Sequence, residues 1–304
     1  MMAQSTPWDS EQQPAVWDVN EYYDDQPVGR REQRLAKVRK RAQDRETRWQ
    51  RNRLAVPYRT DGPKITFGII WFVVVVTAIL NSPLVLAGVL SLVAGLAGLQ
   101  VGYAWFPEYP PTKWWTGLAA FVAAVGGLMG PLGLGAGCAL GLVLLLIYIL
   151  TNPVHHRSFT ELLDVLVRAS IPVGVAAASL TAVLLLEPGA ALSLVVLISA
   201  YETGDFLVGS GSSNAVEGPI SGLVGLGAAL FILWVVAPAP FTDRSMVLFG
   251  ALAAVCCPLG QILASGLLPR GDAWAPALRR LDSYLLAAPL WLLLLETAPT
   301  SSSL

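Results

Sequence analysis

The stretch that decides the fold is residues 132–151, which read LGLGAGCALGLVLLLIYILT and contain no charged side chain. A helix needs about 20 apolar residues to cross the hydrocarbon core of a bilayer. This stretch has that length, and other apolar runs precede and follow it along the chain. It therefore predicts a helix that spans a membrane rather than a helix of a soluble core.

Further apolar runs lie on both sides of this stretch and are separated by turn-forming sequences such as Asn81-Ser82-Pro83, Gly130-Pro131 and Glu187-Pro188-Gly189. The sequence thus predicts an all-α polytopic membrane helix bundle of about nine (eight to nine) transmembrane helices. The predicted spans are 65–81, 83–105, 114–130, 132–151, 167–186, 190–209, 218–237, 245–267 and 282–297.

Charged side chains are scarce and unevenly distributed. They make up 13% of the 304 residues, against about 25% in soluble domains. Residues 1–64 contain 13 of the 20 Lys and Arg. We predict a disordered acidic and aromatic arm over 1–29 and a basic juxtamembrane helix over 30–63, held by anionic lipid at the membrane surface. A solvated basic helix is the plainer alternative, and nucleic acid is not an expected partner.

The distribution of basic residues predicts the orientation, because Lys and Arg concentrate in cytoplasmic loops. With nine spans, the loops that contain Lys113, Arg157 and Arg270 share the cytoplasmic side with the arm, whereas the opposite loops contain only Arg244. We expect a multi-pass protein of the cell (plasma or inner) membrane with a cytoplasmic N-terminus and an external C-terminus.

Two acidic residues lie inside a predicted span. Glu202 and Asp205 are three positions apart, so they share one face of the 190–209 helix near its inner end. Charged groups within a membrane span are costly and usually functional, and two carboxylates suit a divalent metal, a proton relay or an ion site. An interfacial pair that reaches into water is the structural alternative.

Two neighbouring loops add phosphate-binding chemistry. A Gly/Ser-rich loop runs from Gly209 to Gly218 and opens a helix, so its free backbone N–H groups could face an anion. Arg279 and Arg280 precede Asp282 where the last span begins, and guanidinium groups bind phosphate well. Ordinary positive-inside anchors and a helix cap at Asp282 are the alternative explanations. Together these residues predict a phosphoryl or nucleotidyl transfer site.

In this ordered set the chain resembles the bacterial phosphatidate cytidylyltransferase (CDP-diacylglycerol synthase) family. The similarity covers roughly residues 165–297, whereas 64–164 matches only as N-terminal membrane helices and 298–304 is a tail. The resemblance is carried by Glu202-Thr203-Gly204-Asp205-Phe206-Leu207-Val208-Gly209, Asn214-Ala215-Val216-Glu217-Gly218, Gly260-Gln261, Arg279-Arg280-Leu281-Asp282-Ser283 and Ala287-Ala288-Pro289.

The resemblance implies transfer of CMP from CTP to phosphatidic acid, which gives CDP-diacylglycerol and pyrophosphate. Phosphatidic acid and CTP would be the partners, and a homodimer is compatible with the sequence. By this resemblance Glu202, Asp205 and Asp282 are the catalytic residues and hold Mg²⁺. The expected phosphate- and nucleotide-binding residues are Arg279, Arg280, Gly204, Gly209, Glu217 and Gly218.

The sequence also departs from the family pattern. Asn214 stands where the family has Lys, Gln261 replaces the Asp of a Gly-Asp pair, and Arg279 replaces an Asp. Two other functions therefore stay open. One is a catalytically inactive paralogue that acts as a membrane partner or regulator. The other is an ion-coupled transporter that uses Glu202 and Asp205.

Overall fold

The computed structural model describes residues 64–152, 159–210, 216–236, 240–271 and 273–297. The predicted arm over 1–29, the basic helix over 30–63 and the tail over 298–304 lie outside these residues. The same is true of residues 211–215 of the Gly/Ser-rich loop. The predictions for these segments stay predictions.

The described residues form helices and no strand, which confirms the all-α class. The helices are α1 Lys64–Asn81, α2 Pro83–Trp105, α3 Pro110–Val125, α4 Gly130–Thr151, α5 Phe159–Leu186, α6 Pro188–Gly209, α7 Glu217–Val236, α8 Asp243–Leu267 and α9 Tyr284–Thr297. Two short 3₁₀ turns, Gly126–Met129 and Leu278–Arg280, precede α4 and α9 respectively.

Within the described ranges, six helical stretches are long and apolar enough to cross a membrane. One of them, Pro111–Thr151, comprises α3, the first 3₁₀ turn and α4, while α1 and α9 are apolar but shorter. This finding supports a helical membrane bundle, and the finer count of nine spans stays a prediction.

The predicted breaks between the early helices are confirmed, and local chemistry explains them. The Ser82 hydroxyl accepts a hydrogen bond from the Val85 N–H at the start of α2, and Pro83 takes the first helical position. Gly130, at the start of α4, has a φ of +69°, a backbone conformation that glycine adopts without steric cost. These residues explain why the apolar sequence turns where it does.

One helix is longer than its predicted span. The sequence predicted a span over 167–186, but α5 begins at Phe159 and continues to Leu186. Its first turns include the exposed ion pair between Asp164 and Arg168, with Nη2 and Oδ2 2.7 Å apart. The predicted division between regions at 164 and 165 therefore falls inside a continuous helix.

Small residues let the helices approach closely. A Cβ at Gly98 of α2 would lie 2.7 Å from the Thr116 carbonyl oxygen of α3 and 2.9 Å from the Ala120 Cβ. Gly222 of α7 lies in the same way against the Tyr201 ring of α6. Close backbone approach drives helix association in lipid, where the hydrophobic effect gives no net attraction. Gly222 thereby holds α7 close to α6, the helix that contains Glu202 and Asp205.

Candidate functional site at one end of the helix bundle

The candidate site lies where four parts of the chain meet. These are the last turns of α6, the last turns of α8, the connecting segment 268–283 and the start of α9. α6 and α8 are separated in the chain by α7 alone, so both reach this end of the bundle with their C-terminal turns. The five charged residues predicted as candidates near these helix ends, Glu202, Asp205, Arg279, Arg280 and Asp282, meet here.

A hydrogen-bonded chain joins α6 to α8. The Gln261 Nε2 donates to Asp205 Oδ2 at 3.1 Å, and the Tyr201 hydroxyl donates to Gln261 Oε1 at 3.3 Å. All three residues are buried. A buried polar group left without a partner costs free energy, so this chain of bonds holds the two helices in one register.

Arg279 ties the connecting segment to α8. Its Nη1 donates to the Ser265 Oγ at 3.1 Å, and its Nη2 donates to the Gly271 carbonyl oxygen at 2.9 Å. Ser265 in turn donates to the carbonyl oxygen of Gln261 at 3.1 Å. The guanidinium also lies close enough to Asp282 to act on its charge. Arg279 therefore has protein partners on several sides.

Asp282 and Ser283 lie beside the α8 backbone. The Ser283 N–H donates to Asp282 Oδ1 at 2.7 Å, and both residues are buried. The Asp282 carbonyl oxygen fills the space where a Cβ at Gly260 would stand, so a side chain at position 260 would displace this segment. The predicted cap role of Asp282 is thus limited to its adjacent N–H, and α9 begins at Tyr284.

Glu202 extends from α6 toward the same cluster. The Ser283 hydroxyl interacts with its carboxylate, and the charges of Asp282, Arg280 and Asp205 all act on it. Its Oε1 is buried and has no hydrogen-bond partner among the described residues. Three carboxylates and two guanidinium groups thus meet at one end of the bundle. Such a set can bind a phosphate group through its guanidinium groups and a cation or a proton through its carboxylates.

Arg280 differs from its neighbour in having no protein partner of this kind. Within the described residues its guanidinium makes no hydrogen bond and has no carboxylate within ion-pair distance. Its Nη1 lies 3.8 Å from the position that a Cβ at Gly68 would occupy, so the side chain reaches the first turns of α1.

Two long-range bonds anchor the site to α2. The Gln100 Oε1 accepts from the Ala277 N–H at 2.9 Å, and the Trp105 Nε1 donates to the Leu267 carbonyl oxygen at 2.8 Å. The partners are 177 and 162 positions apart in the chain. The connecting segment is therefore held by the first half of the molecule as well as by α8.

The other predicted phosphate- and nucleotide-binding residues lie along α6 and at the α6–α7 connection. Gly204 lies within α6, and a Cβ there would meet the Ser221 backbone of α7, which accounts for glycine at this position. Gly209 ends α6 and is buried, whereas Glu217 and Gly218 begin α7. Residues 211–215 between them are outside the described ranges, and their predicted contact with nucleotide stays a prediction.

The metal prediction was compared with the carboxylate positions. Among the described residues, no group of three or more His, Cys, Asp or Glu side chains is arranged to hold a metal ion. Asp205 is bonded to an amide, and Asp282 to a backbone N–H. The Mg²⁺ requirement therefore stays a prediction from the resemblance, and no chemical step is assigned to it.

Several residues of the cluster were not predicted as site residues. Gln261 was recognised only as a substitution, and Tyr201, Ser265 and Gln100 were not singled out. Ser265 follows Gln261 by one helical turn, so its place on the same face of α8 could have been found from spacing. The roles of Tyr201 and Gln100 depend on contacts between distant helices, which no local pattern indicates.

A comparison of this chain with protein-family models, with curated proteins and with solved structures finds no match.

Proposed function

We propose that this chain is a divergent phosphatidate cytidylyltransferase-like membrane protein. It would transfer CMP from CTP to phosphatidic acid and release pyrophosphate. One observation carries the proposal: residues from separate stretches of the resemblance, around Glu202, Gln261 and Asp282, meet in one cluster. Chance similarity in scattered motifs gives no reason for them to meet.

In this proposal the cluster faces the cytoplasm, where CTP is available. Nine spans and a cytoplasmic N-terminus place the ends of α6 and α8 on that side, in the cell membrane. The Glu202 and Asp205 carboxylates lie within the last turns of α6, so the reacting phosphate would be bound at the depth of the lipid head groups and just below them. A lipid substrate can reach that depth without leaving the bilayer.

The test is a nucleotidyl transfer assay on the full-length protein. The purified protein in mixed micelles is given phosphatidic acid, labelled CTP and Mg²⁺, and formation of labelled CDP-diacylglycerol is measured. We expect product from the wild type and from Glu187→Gln, a matched carboxylate change at the opposite end of α6. We expect at least a tenfold lower rate from Glu202→Gln. Absence of product from folded wild-type protein would overturn the enzyme proposal.

One observation favours the second function, a catalytically inactive paralogue that acts as a membrane partner or regulator. Gln261 stands where the resemblance expects Asp, and its amide is bonded to Asp205. An amide cannot supply the negative charge of the carboxylate that it replaces. In this alternative, deletion of residues 1–60 abolishes the cellular function, whereas Glu202→Ala and Asp282→Ala leave it intact. A complementation assay with these variants distinguishes the two functions.

A further inference from the structure

Most of the charged groups in the cluster have partners within the protein. The Asp205 carboxylate is bonded to the Gln261 amide, and Asp282 lies beside Arg279 and accepts from the Ser283 N–H. Arg279 itself is bonded to α8 and to the connecting segment. These groups therefore build the site.

Two groups of the cluster lack a full set of partners among the described residues, and the charge of one acts on the other. The Glu202 Oε1 is buried, and no residue in the described part of the chain donates a hydrogen bond to it. The Arg280 guanidinium acts on the charge of Glu202 but makes no hydrogen bond within the described residues. A buried acceptor and a nearby free donor set requirements on a ligand, which must offer a hydrogen to the first and an anionic oxygen to the second.

A phosphate monoester meets both requirements. Its second ionisation has a pKa of about 6, so near neutral pH it readily carries or shares one proton. That proton can lie between a phosphate oxygen and the Glu202 carboxylate while other phosphate oxygens accept from Arg280. A phosphodiester has no such proton, so its oxygens would face the carboxylate with no hydrogen between them.

We propose that Glu202 and Arg280 form a specificity pair that recognises a lipid phosphate monoester and discriminates against phosphodiester lipids. The inference rests on the proposed function for the position of the ligand, and it assigns Glu202 to the ligand proton rather than to a metal. Arg279 is a positioning residue, because its bonds to Ser265 and Gly271 hold the segment that carries Arg280.

The enclosure of Oε1 also fits this assignment. Since protein atoms cover it, a ligand reaches it only when a neighbouring side chain turns away. Arg280 can turn because no described residue bonds its guanidinium, and the absence of a side chain at Gly68 leaves room beside α1.

The experiment measures binding of two lipids that differ by one methyl group. Short-chain phosphatidic acid and its monomethyl ester, phosphatidylmethanol, are titrated into the full-length protein in micelles containing EDTA, and tryptophan fluorescence is recorded. We expect phosphatidic acid to bind at least about tenfold more tightly, as for one hydrogen bond to a charged group. Equal affinities, or binding of phosphatidic acid only when Mg²⁺ replaces EDTA, would overturn the inference.

Variants separate the two members of the pair. Glu202→Gln carries an amide that can donate to either lipid, so we expect the preference to fall to about twofold or less. Arg280→Gln should lower the affinity for both lipids by a similar factor of about ten. Arg244→Gln, an exposed change at the other end of the bundle, is the matched control and should change neither. A tenfold preference that persists in Glu202→Gln would contradict the proposal.

The outcomes are distinguishable from those of the transfer assay. If Glu202→Gln does not fold, judged by thermal unfolding, the proposal is still tested by two measurements. These are the preference of the wild type for phosphatidic acid and the affinities of Arg280→Gln for both lipids. A lipid preference that depends on Glu202 without CDP-diacylglycerol formation supports the specificity pair and overturns the enzyme proposal. Transfer activity together with equal binding of the two lipids supports the enzyme proposal and overturns the specificity pair.

Discussion

The two halves of the bundle differ in the polar side chains that join their helices. In α2–α5, several hydroxyl groups bond to carbonyl oxygens of their own helix, as Ser170 does to Leu166 and Thr181 to Ala177. In α6–α9, by contrast, Asp205, Gln261 and Arg279 bond across elements. The first half is thus held mainly by the shape of small residues, whereas the second half also depends on a specific set of polar partners. The two halves are therefore similar in apolar composition but are stabilised by different interactions.

The largest effect is expected from a shape change in the first half. Gly98→Leu would force its side chain into the Thr116 backbone and the Ala120 side chain, and we expect a loss of about 3 kcal/mol in the free energy of unfolding. Gly88→Leu on the same helix is the control, since a Cβ there meets nothing within 4 Å. Unfolding in mixed micelles measures both. Equal losses would show that close packing does not distinguish these positions.

The adjacent arginines give the next effect. Arg279→Gln removes charge-assisted bonds to Ser265 and Gly271, and we expect a loss of about 2 kcal/mol in the free energy of unfolding. Arg280→Gln should change it by less than about 0.5 kcal/mol, because no such bond is lost. The same unfolding measurement checks the pair. A larger loss in Arg280→Gln would reverse the roles assigned to them.

A smaller loss is expected at the centre of the polar chain. Gln261→Leu keeps the approximate volume but removes one hydrogen bond of Asp205 and one of the Tyr201 hydroxyl, so we expect about 1.5 kcal/mol less stability. Thr203→Val on the exposed face of α6 is the control and should stay within about 0.5 kcal/mol. If both variants unfold alike, the polar chain does not stabilise the second half.

The smallest effect should come from the polar pair that joins helices of the first half. Thr112 and Tyr148 share a buried hydroxyl contact at 2.6 Å between α3 and α4. Thr112→Val removes it, and we expect a loss of about 1 kcal/mol in the free energy of unfolding, against little change for Thr151→Val at the exposed end of α4. A loss greater than that of Gln261→Leu would contradict the contrast between the halves.

The class of fold could be predicted from the sequence because each helix carries its own signal. The apolar run at 132–151 and the turn at Gly130-Pro131 are local features, and the structure has α4 there. The early start of α5 was missed because the charged residues Asp164 and Arg168 lowered the apolar content of its first turns. Hydropathy alone does not mark a helix that extends beyond its apolar part.

The charged members of the candidate site could be predicted from the sequence, but the residues that hold them in place could not. Glu202 and Asp205 could be recognised because acidic residues inside an apolar span are rare. Gln100 could not, because an amide near the end of a span is an ordinary residue until Ala277 packs against it. The sequence also did not indicate that Arg279 and Arg280 differ in their hydrogen-bond partners, because that difference depends on residues distant in the chain.

The bond between Gln100 and Ala277 also sets an order of assembly. The two residues are separated by 177 positions, and chains are synthesised at about 5–20 residues per second. Ala277 is therefore synthesised about 9–35 s after Gln100. During that time the Gln100 amide and the Trp105 ring must be satisfied by water or lipid head groups. The early helices can insert and pack first, but the segment with Arg279 and Arg280 can dock only near the end of synthesis. Truncation before Ala277 would therefore leave a membrane-inserted bundle that lacks a formed site.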